Sequence, residues 1–147
     1  MGCYACNWNS RLADAPPRES VVTEDGWRVA LALGCSLPGW LVVLPTRHIQ
    51  SMDELSGSEA SALGPLLGRL TIALRQLVVC ERTYVAMFAE QQGFSHLHIH
   101  VVPRMSWFNA EQTGPRAFGA FLGRSDEEAT SESDRDALAL RLRAALT

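Results

Sequence analysis

Apolar positions recur with two different periods along this chain. Leu63, Leu66, Leu67, Leu70, Leu74 and Leu77 stand three and four apart, which places them on one helical face. Ser56 with Glu59 three residues later reads as a capping box, so a helix is predicted from there to about Val79. Gly64-Pro65 falls inside it and predicts a kink. A shorter amphipathic helix is predicted over 134–146, N-capped by Ser133, with Leu138, Leu142 and Leu146 four apart. Runs of strand length lie elsewhere. Val21-Val22 and Arg28 to Leu33 flank a Glu24-Asp25-Gly26 turn. Trp40 to Leu44 is stopped by Pro45. Tyr84 to Ala89 is another, and a last strand runs from Phe94 or Ser95 to Val102, ended by Pro103. Residues 105–123 carry aromatics without a clean period, and 127–133 are polar. Strands in hairpin-like succession around one long helix predict an α+β fold with an antiparallel sheet. The whole of 1–147 is expected to be one domain, with 105–147 as a C-terminal extension bearing the short helix.

Composition narrows the function classes. The chain has 147 residues, 47 % of them hydrophobic, enough for one well-buried core. Net charge is −3, so there is no basic field for nucleic acid or an anionic membrane. All 13 basic residues are Arg. The absence of Lys excludes a Schiff-base lysine and the phosphate-binding lysine of a P-loop. The N-terminus lacks the basic and apolar regions of a signal peptide, and no run approaches the ~20 apolar residues that span a bilayer. A cytoplasmic location is expected. There Cys3, Cys6, Cys35 and Cys80 read as thiols or metal ligands rather than disulfides.

The chemistry concentrates in one strand. His96, His98 and His100 alternate with Leu97, Ile99 and Val101. Successive strand side chains point to opposite faces, so the three imidazoles share one face. A single metal held by all three is disfavoured, because His96 and His100 are roughly 13 Å apart at Cα on a straight strand and Zn–N bonds are about 2.0 Å. A row of imidazoles suits different tasks along an extended substrate.

The run His-Leu-His-Ile-His-Val-Val over 96–102 resembles the motif of the histidine triad (HIT) family, and Pro103-Arg104 follows it. Leu37-Pro38-Gly39-Trp40-Leu41-Val42-Val43-Leu44-Pro45-Thr46-Arg47-His48 is similar to the family's apolar strand and Pro-x-x-His turn. The resemblance spans residues 1–105 and is nearest to actinobacterial members with an N-terminal Cys-x-x-Cys. It implies a HIT-like fold, a five-stranded antiparallel sheet with helices, commonly as a homodimer. It implies a nucleotide hydrolase or nucleotidyl transferase in which His98 attacks the α-phosphorus and His100 assists. Neutral imidazole is a good nucleophile, and the second ring can stabilise phosphoryl charge. Gln92, Gly93 and Ser95 are the phosphate-binding candidates, and Trp40 a candidate for stacking on the ligand. Two alternatives are a non-catalytic nucleotide-binding protein of this fold and a metalloenzyme using the triad. A structural zinc is expected on Cys3, Cys6, His48 and His96, in the manner of members with this cysteine pair, and no organic cofactor. The pattern departs at three points. Trp40 stands where a further His is common, Ala32 where a ribose-binding Asp or Asn is common, and the phosphate loop reads Gln91-Gln92-Gly93. Ala32 predicts weak binding of plain AMP.

Overall fold

The computed structural model describes residues 2–147. A short helix α1 (Tyr4–Asn9) precedes the hairpin of β1 (Val22–Glu24) and β2 (Trp27–Leu31). Strand β3 (Leu41–Pro45), the long helix α2 (Gly57–Val78), β4 (Arg82–Met87) and β5 (Ile99–Arg104) follow, then α3 (Arg116–Phe121) and α4 (Glu132–Leu146). The five strands form one antiparallel sheet in the order β1-β2-β3-β5-β4. The β1–β2 turn is Asp25-Gly26, both with positive φ (50° and 84°), as the two-residue turn matching strand twist requires.

Period-two alternation sorts the sheet's two faces. Val29, Leu31, Leu41, Val43, Ile99 and Val101 join Leu63, Leu66, Leu70 and Leu74 of α2 and Leu142 of α4 in one buried cluster. Each fully buried aliphatic side chain contributes about 1.5–3 kcal/mol. The opposite face carries the row Ala30–Val42–His100–Ala86, set by the pairing registers. A second cluster of Trp40, Val102, Phe108, Ala117 and Phe121 closes part of that face.

Two local expectations, the cap of α4 and the start of the triad strand, need correction. Helix α2 keeps its Ser56–Glu59 capping box and runs unbroken through Gly64-Pro65. Ser61, Gly64 and Pro65 are exposed, so the carbonyl that proline leaves unpaired faces water. Helix α4 is capped by Ser131 rather than Ser133: the Asp134 N–H donates to the Ser131 hydroxyl at 3.1 Å. The triad strand begins at Ile99, not at 94 or 95. The register Val43↔Ile99 would set Leu97 opposite Pro45, which has no N–H for the ladder, and the Leu97 N–H donates to the Ile49 carbonyl instead. At the other end β5 passes Pro103 and reaches Arg104, paired by then with β4 alone. Among the described residues no helix is long and apolar enough to cross a membrane.

Candidate functional site

Four residues from three stretches distant in sequence converge beside the start of β5. The ligand atoms of Cys3, Cys6, His48 and His96 all lie within 4.8 Å of one another. Cys6 Sγ is 3.2 Å from His48 Nδ1 and 3.5 Å from His96 Nδ1, Cys3 Sγ is 3.6 Å from His96 Nδ1, and the two Nδ1 atoms are 3.1 Å apart. A tetrahedron built on Zn–S and Zn–N bonds has edges of about 3.3–3.8 Å. The His96 Nε2–H donates to the Pro45 carbonyl at 2.8 Å, since a carbonyl can only accept. That leaves the Nδ1 lone pair facing the cluster, and burial keeps the ring neutral by lowering its pKa. The outward bond to a carbonyl is the usual support of a metal-ligating histidine. The donor set and spacing fit a divalent metal.

The cysteines reach this point because α1 is anchored to the sheet by Arg28. This guanidinium is almost wholly buried. It donates to Asn9 Oδ1 at 2.7 Å and to the carbonyls of Glu19 and Ala5, with the Glu19 carboxylate 3.6 Å away. The Tyr4 hydroxyl donates to the same carboxylate.

The other two triad rings have their nitrogens assigned by their neighbours. His98 Nδ1 lies 2.9 Å from the His96 carbonyl, so Nδ1 carries the proton and Nε2 offers a lone pair. The Trp40 indole N–H donates to His100 Nδ1 at 3.0 Å, so in the neutral ring the proton sits on Nε2. Burial, with the charge of neighbouring His98 adding to it, lowers the His100 pKa to about 4. Phe118 of α3 packs edge-on to both His100 and Trp40, with ring centroids 4.8 and 5.0 Å away. The site thus presents an imidazole lone pair beside a neutral N–H donor.

His96, His98 and His100 border a cavity of about 600 Å³, within the range of small-molecule sites. Its sheet wall includes Ala30, Ala32 and Val42, and its far wall comes from Phe88, Gln91 and the C-terminal segment with Phe118, Arg124 and Asp126. Not every expected residue lies there. Trp40 is 1 % exposed and off the cavity wall, so it cannot stack on a ligand in this cavity; it orients His100. Gln92, Gly93 and Ser95 are also off the wall, where Gln91 stands instead. Ser95 accepts from Gln50 Nε2 at 3.1 Å. Ala32 does line the cavity and brings no polar group. Sequence reasoning missed Arg124 and Asp126, whose stretch has no periodicity. It is tied down by the Arg124 N–H donating to the Gly34 carbonyl at 2.9 Å. Gly34 has φ +61°, and an added Cβ would meet the Arg124 carbonyl oxygen.

The depressed His100 pKa has a stability consequence. Between about 4 and the ordinary 6.5 the unfolded chain binds a proton that the folded chain does not. Stability attributable to this ring therefore falls as pH drops through that window. Urea unfolding midpoints at pH 4.5 and 6.5 should differ more in the wild type than in His100→Gln. Equal differences in the two proteins would show that His100 is not held neutral.

Comparison with models of known protein families gives no match, and comparison with curated proteins gives none either. Solved structures do match. A zinc-bound histidine triad family protein from Mycobacterium smegmatis is 21 % identical, with 99 % of this chain and 94 % of that chain covered at a TM-score of 0.67. A hypothetical histidine triad nucleotide-binding protein from Sulfolobus tokodaii is 13 % identical, with coverage of 98 % and 91 % and a TM-score of 0.71. A uridylyltransferase is 18 % identical over 96 % of this chain and 45 % of that one, at a TM-score of 0.62. The chain has the fold of the histidine triad proteins and carries their motif over residues 96–102, leading into its fifth strand.

Proposed function

We propose that this protein is a nucleotide hydrolase or nucleotidyl transferase that works through a covalent nucleotidyl-His98 intermediate. The observation that carries this reading is the pair of ring assignments, an Nε2 lone pair on His98 next to a neutral Nε2–H on His100. In the first step the His98 lone pair attacks the α-phosphorus of a nucleoside phosphoramidate, dinucleoside polyphosphate or other nucleotide conjugate. The P–N or P–O bond to the leaving group breaks, and that group departs with the bonding electrons, an amine taking up a proton from solvent. In the second step water, or an acceptor hydroxyl or phosphate, attacks the same phosphorus, water or hydroxyl releasing its proton to solvent, and the P–Nε2 bond breaks with its electrons returning to His98. Two displacements replace one difficult step. His100 Nε2–H is proposed to donate to a non-bridging phosphate oxygen, the place where fixed dipoles act on phosphoryl transfer. Arg124 on the cavity wall supplies positive charge near the same phosphates. The solved neighbours named for nucleotide binding and for uridylyl transfer support this class.

The test is intact-protein mass after rapid quenching with an adenosine phosphoramidate or a dinucleoside polyphosphate. Wild type should gain one nucleotidyl group, and His98→Ala should gain none. His100→Gln should still form the adduct, with turnover lower by about 10²–10³-fold. An adduct of equal yield in His98→Ala would refute the assignment.

We further propose that Cys3, Cys6, His48 and His96 hold a structural zinc, with all four positions filled by protein and no chemistry at the metal. The zinc-bound neighbour supports the choice of metal. A reducing cytoplasm would keep both thiolates available. Chelator-free protein should contain about one equivalent of zinc per chain, and Cys3→Ser with Cys6→Ser should abolish it. Wild-type protein with less than half an equivalent would contradict the proposal.

A homodimer is proposed from the edge strand β4, whose neighbourhood exposes Val85 and Phe88. Unpaired, apolar sheet edges invite pairing, and two-fold symmetry closes them. Sedimentation at micromolar concentration should give twice the chain mass. A monomer alone would count against it.

A further inference from the structure

We propose that the end of the triad cavity formed by Tyr4 and Glu19 is a base subsite, in which the free carboxylate oxygen of Glu19 accepts a hydrogen bond from the exocyclic amino group of adenine or cytosine. The observation is Glu19 Oε2. Glu19 is 4 % exposed and lines the cavity. Its Oε1 accepts from the Tyr4 hydroxyl. Its Oε2 accepts no hydrogen bond among the described residues. Arg28 Nη1 stands 3.6 Å from it, beyond hydrogen-bond range, and the Arg28 donors go to Asn9, Ala5 and the Glu19 carbonyl. Among the described residues, the unpaired buried side-chain atoms that are closed to solvent are Nε and Nη1 of Arg135 alone. Glu19 Oε2 is therefore reachable, and the space it opens on is the cavity that Glu19 lines. Most buried polar groups are paired, so this oxygen is a feature to be explained.

The surrounding wall suits a flat heterocycle. Tyr4 and Phe94 pack with ring centroids 5.5 Å apart, and both line this end of the cavity with Ala30 and Leu44. Arg28 lies opposite Leu44, two residues along β2 from Ala30, which belongs to the row Ala30–Val42–His100. Arg28, and Glu19 beside it, thus stand two strand spacings from the triad strand, about 10 Å. A nucleoside 5′-phosphate with its phosphorus at His98 reaches a comparable distance to the far edge of its base. The single free oxygen sets the preference. Guanine offers two adjacent donors that match both oxygens of a carboxylate, and Oε1 is taken by Tyr4. Hypoxanthine and uracil bring a carbonyl oxygen beside their ring N–H, and that oxygen would face the carboxylate. Adenine and cytosine direct an amino group at one acceptor, and the carboxylate makes the bond charge-assisted. The subsite rests on the reading of this cavity as a nucleotide site.

Chemical-shift titrations of the full chain with AMP and with purine riboside 5′-monophosphate test it, since these two ligands differ only in the amino group. AMP should bind wild type at least about tenfold more tightly, the worth of one charge-assisted hydrogen bond. In Glu19→Gln, with Tyr4 holding the amide carbonyl, the amide NH₂ faces the cavity and the preference should be lost. Inosine 5′-monophosphate, which carries a carbonyl oxygen at that position, should gain on AMP in this variant. The wild-type comparison decides the matter even where Glu19→Gln folds poorly. Binding requires no bond to phosphorus, which separates this result from the mass test of His98. An AMP preference in protein that forms no adduct would support the subsite and refute the covalent chemistry. Equal affinities of wild type for AMP and purine riboside 5′-monophosphate would overturn the subsite while leaving an observed adduct intact. So would a preference undiminished in folded Glu19→Gln, or no binding of either nucleotide.

Discussion

A neutral imidazole has one nitrogen that donates and one that accepts, and the function of this site depends on which is which in three neighbouring rings. Backbone and indole groups make the assignment. The Pro45 carbonyl accepts a hydrogen bond from His96 Nε2–H and leaves Nδ1 facing the cysteines. The His96 carbonyl takes the proton of His98 Nδ1. The Trp40 indole occupies His100 Nδ1 from the opposite sense, as a donor. Three identical side chains are thereby given three different capacities: a lone pair toward the cysteines, a lone pair toward the cavity and an N–H donor.

Pro45 links this chemistry to the fold. Lacking an N–H, it ends the β3–β5 ladder, so the segment carrying His96 and His98 runs into β5 without being paired to β3. Its carbonyl is then free for His96. On the far side, Arg28 of β2 pins α1 through Asn9 and Ala5, which brings Cys3 and Cys6 to the same place. The Cys3, Cys6, His48 and His96 cluster therefore joins three separate stretches of chain at the end of the sheet where the cavity begins. A cation there would offset the mutual repulsion of lone pairs 3.1 Å apart and bind the N-terminus to the triad segment.

The fold was legible where periodicity is strong. The leucines of α2, the Ser56–Glu59 cap and the short apolar runs all mark real elements, because side-chain period and burial are directly linked. Element ends were less legible. The early end of the β3–β5 ladder depends on what lies opposite Pro45, a tertiary fact, and the choice between Ser131 and Ser133 as cap depends on which serine meets the first free N–H. The histidine alternation located the site, but not the tautomers, two of which belong to hydrogen bonds across 51 and 60 residues of sequence. Trp40 was read as a ligand contact because an apolar strand position does not disclose its partner. Glu19, Arg124 and Asp126 carried no signal at all, since a single charged residue in a polar stretch looks the same exposed or buried.

The ring assignments are tested most directly by long-range ¹H–¹⁵N correlation of the histidine side chains at neutral pH. His98 should show a protonated Nδ1 and an unprotonated Nε2, and His100 the reverse. The Trp40→Phe variant should release His100 from that preference while leaving His98 unchanged. A His98 ring protonated at Nε2, or a His100 ring carrying its proton on Nδ1, would contradict the reading of the triad as a lone pair set beside a neutral donor.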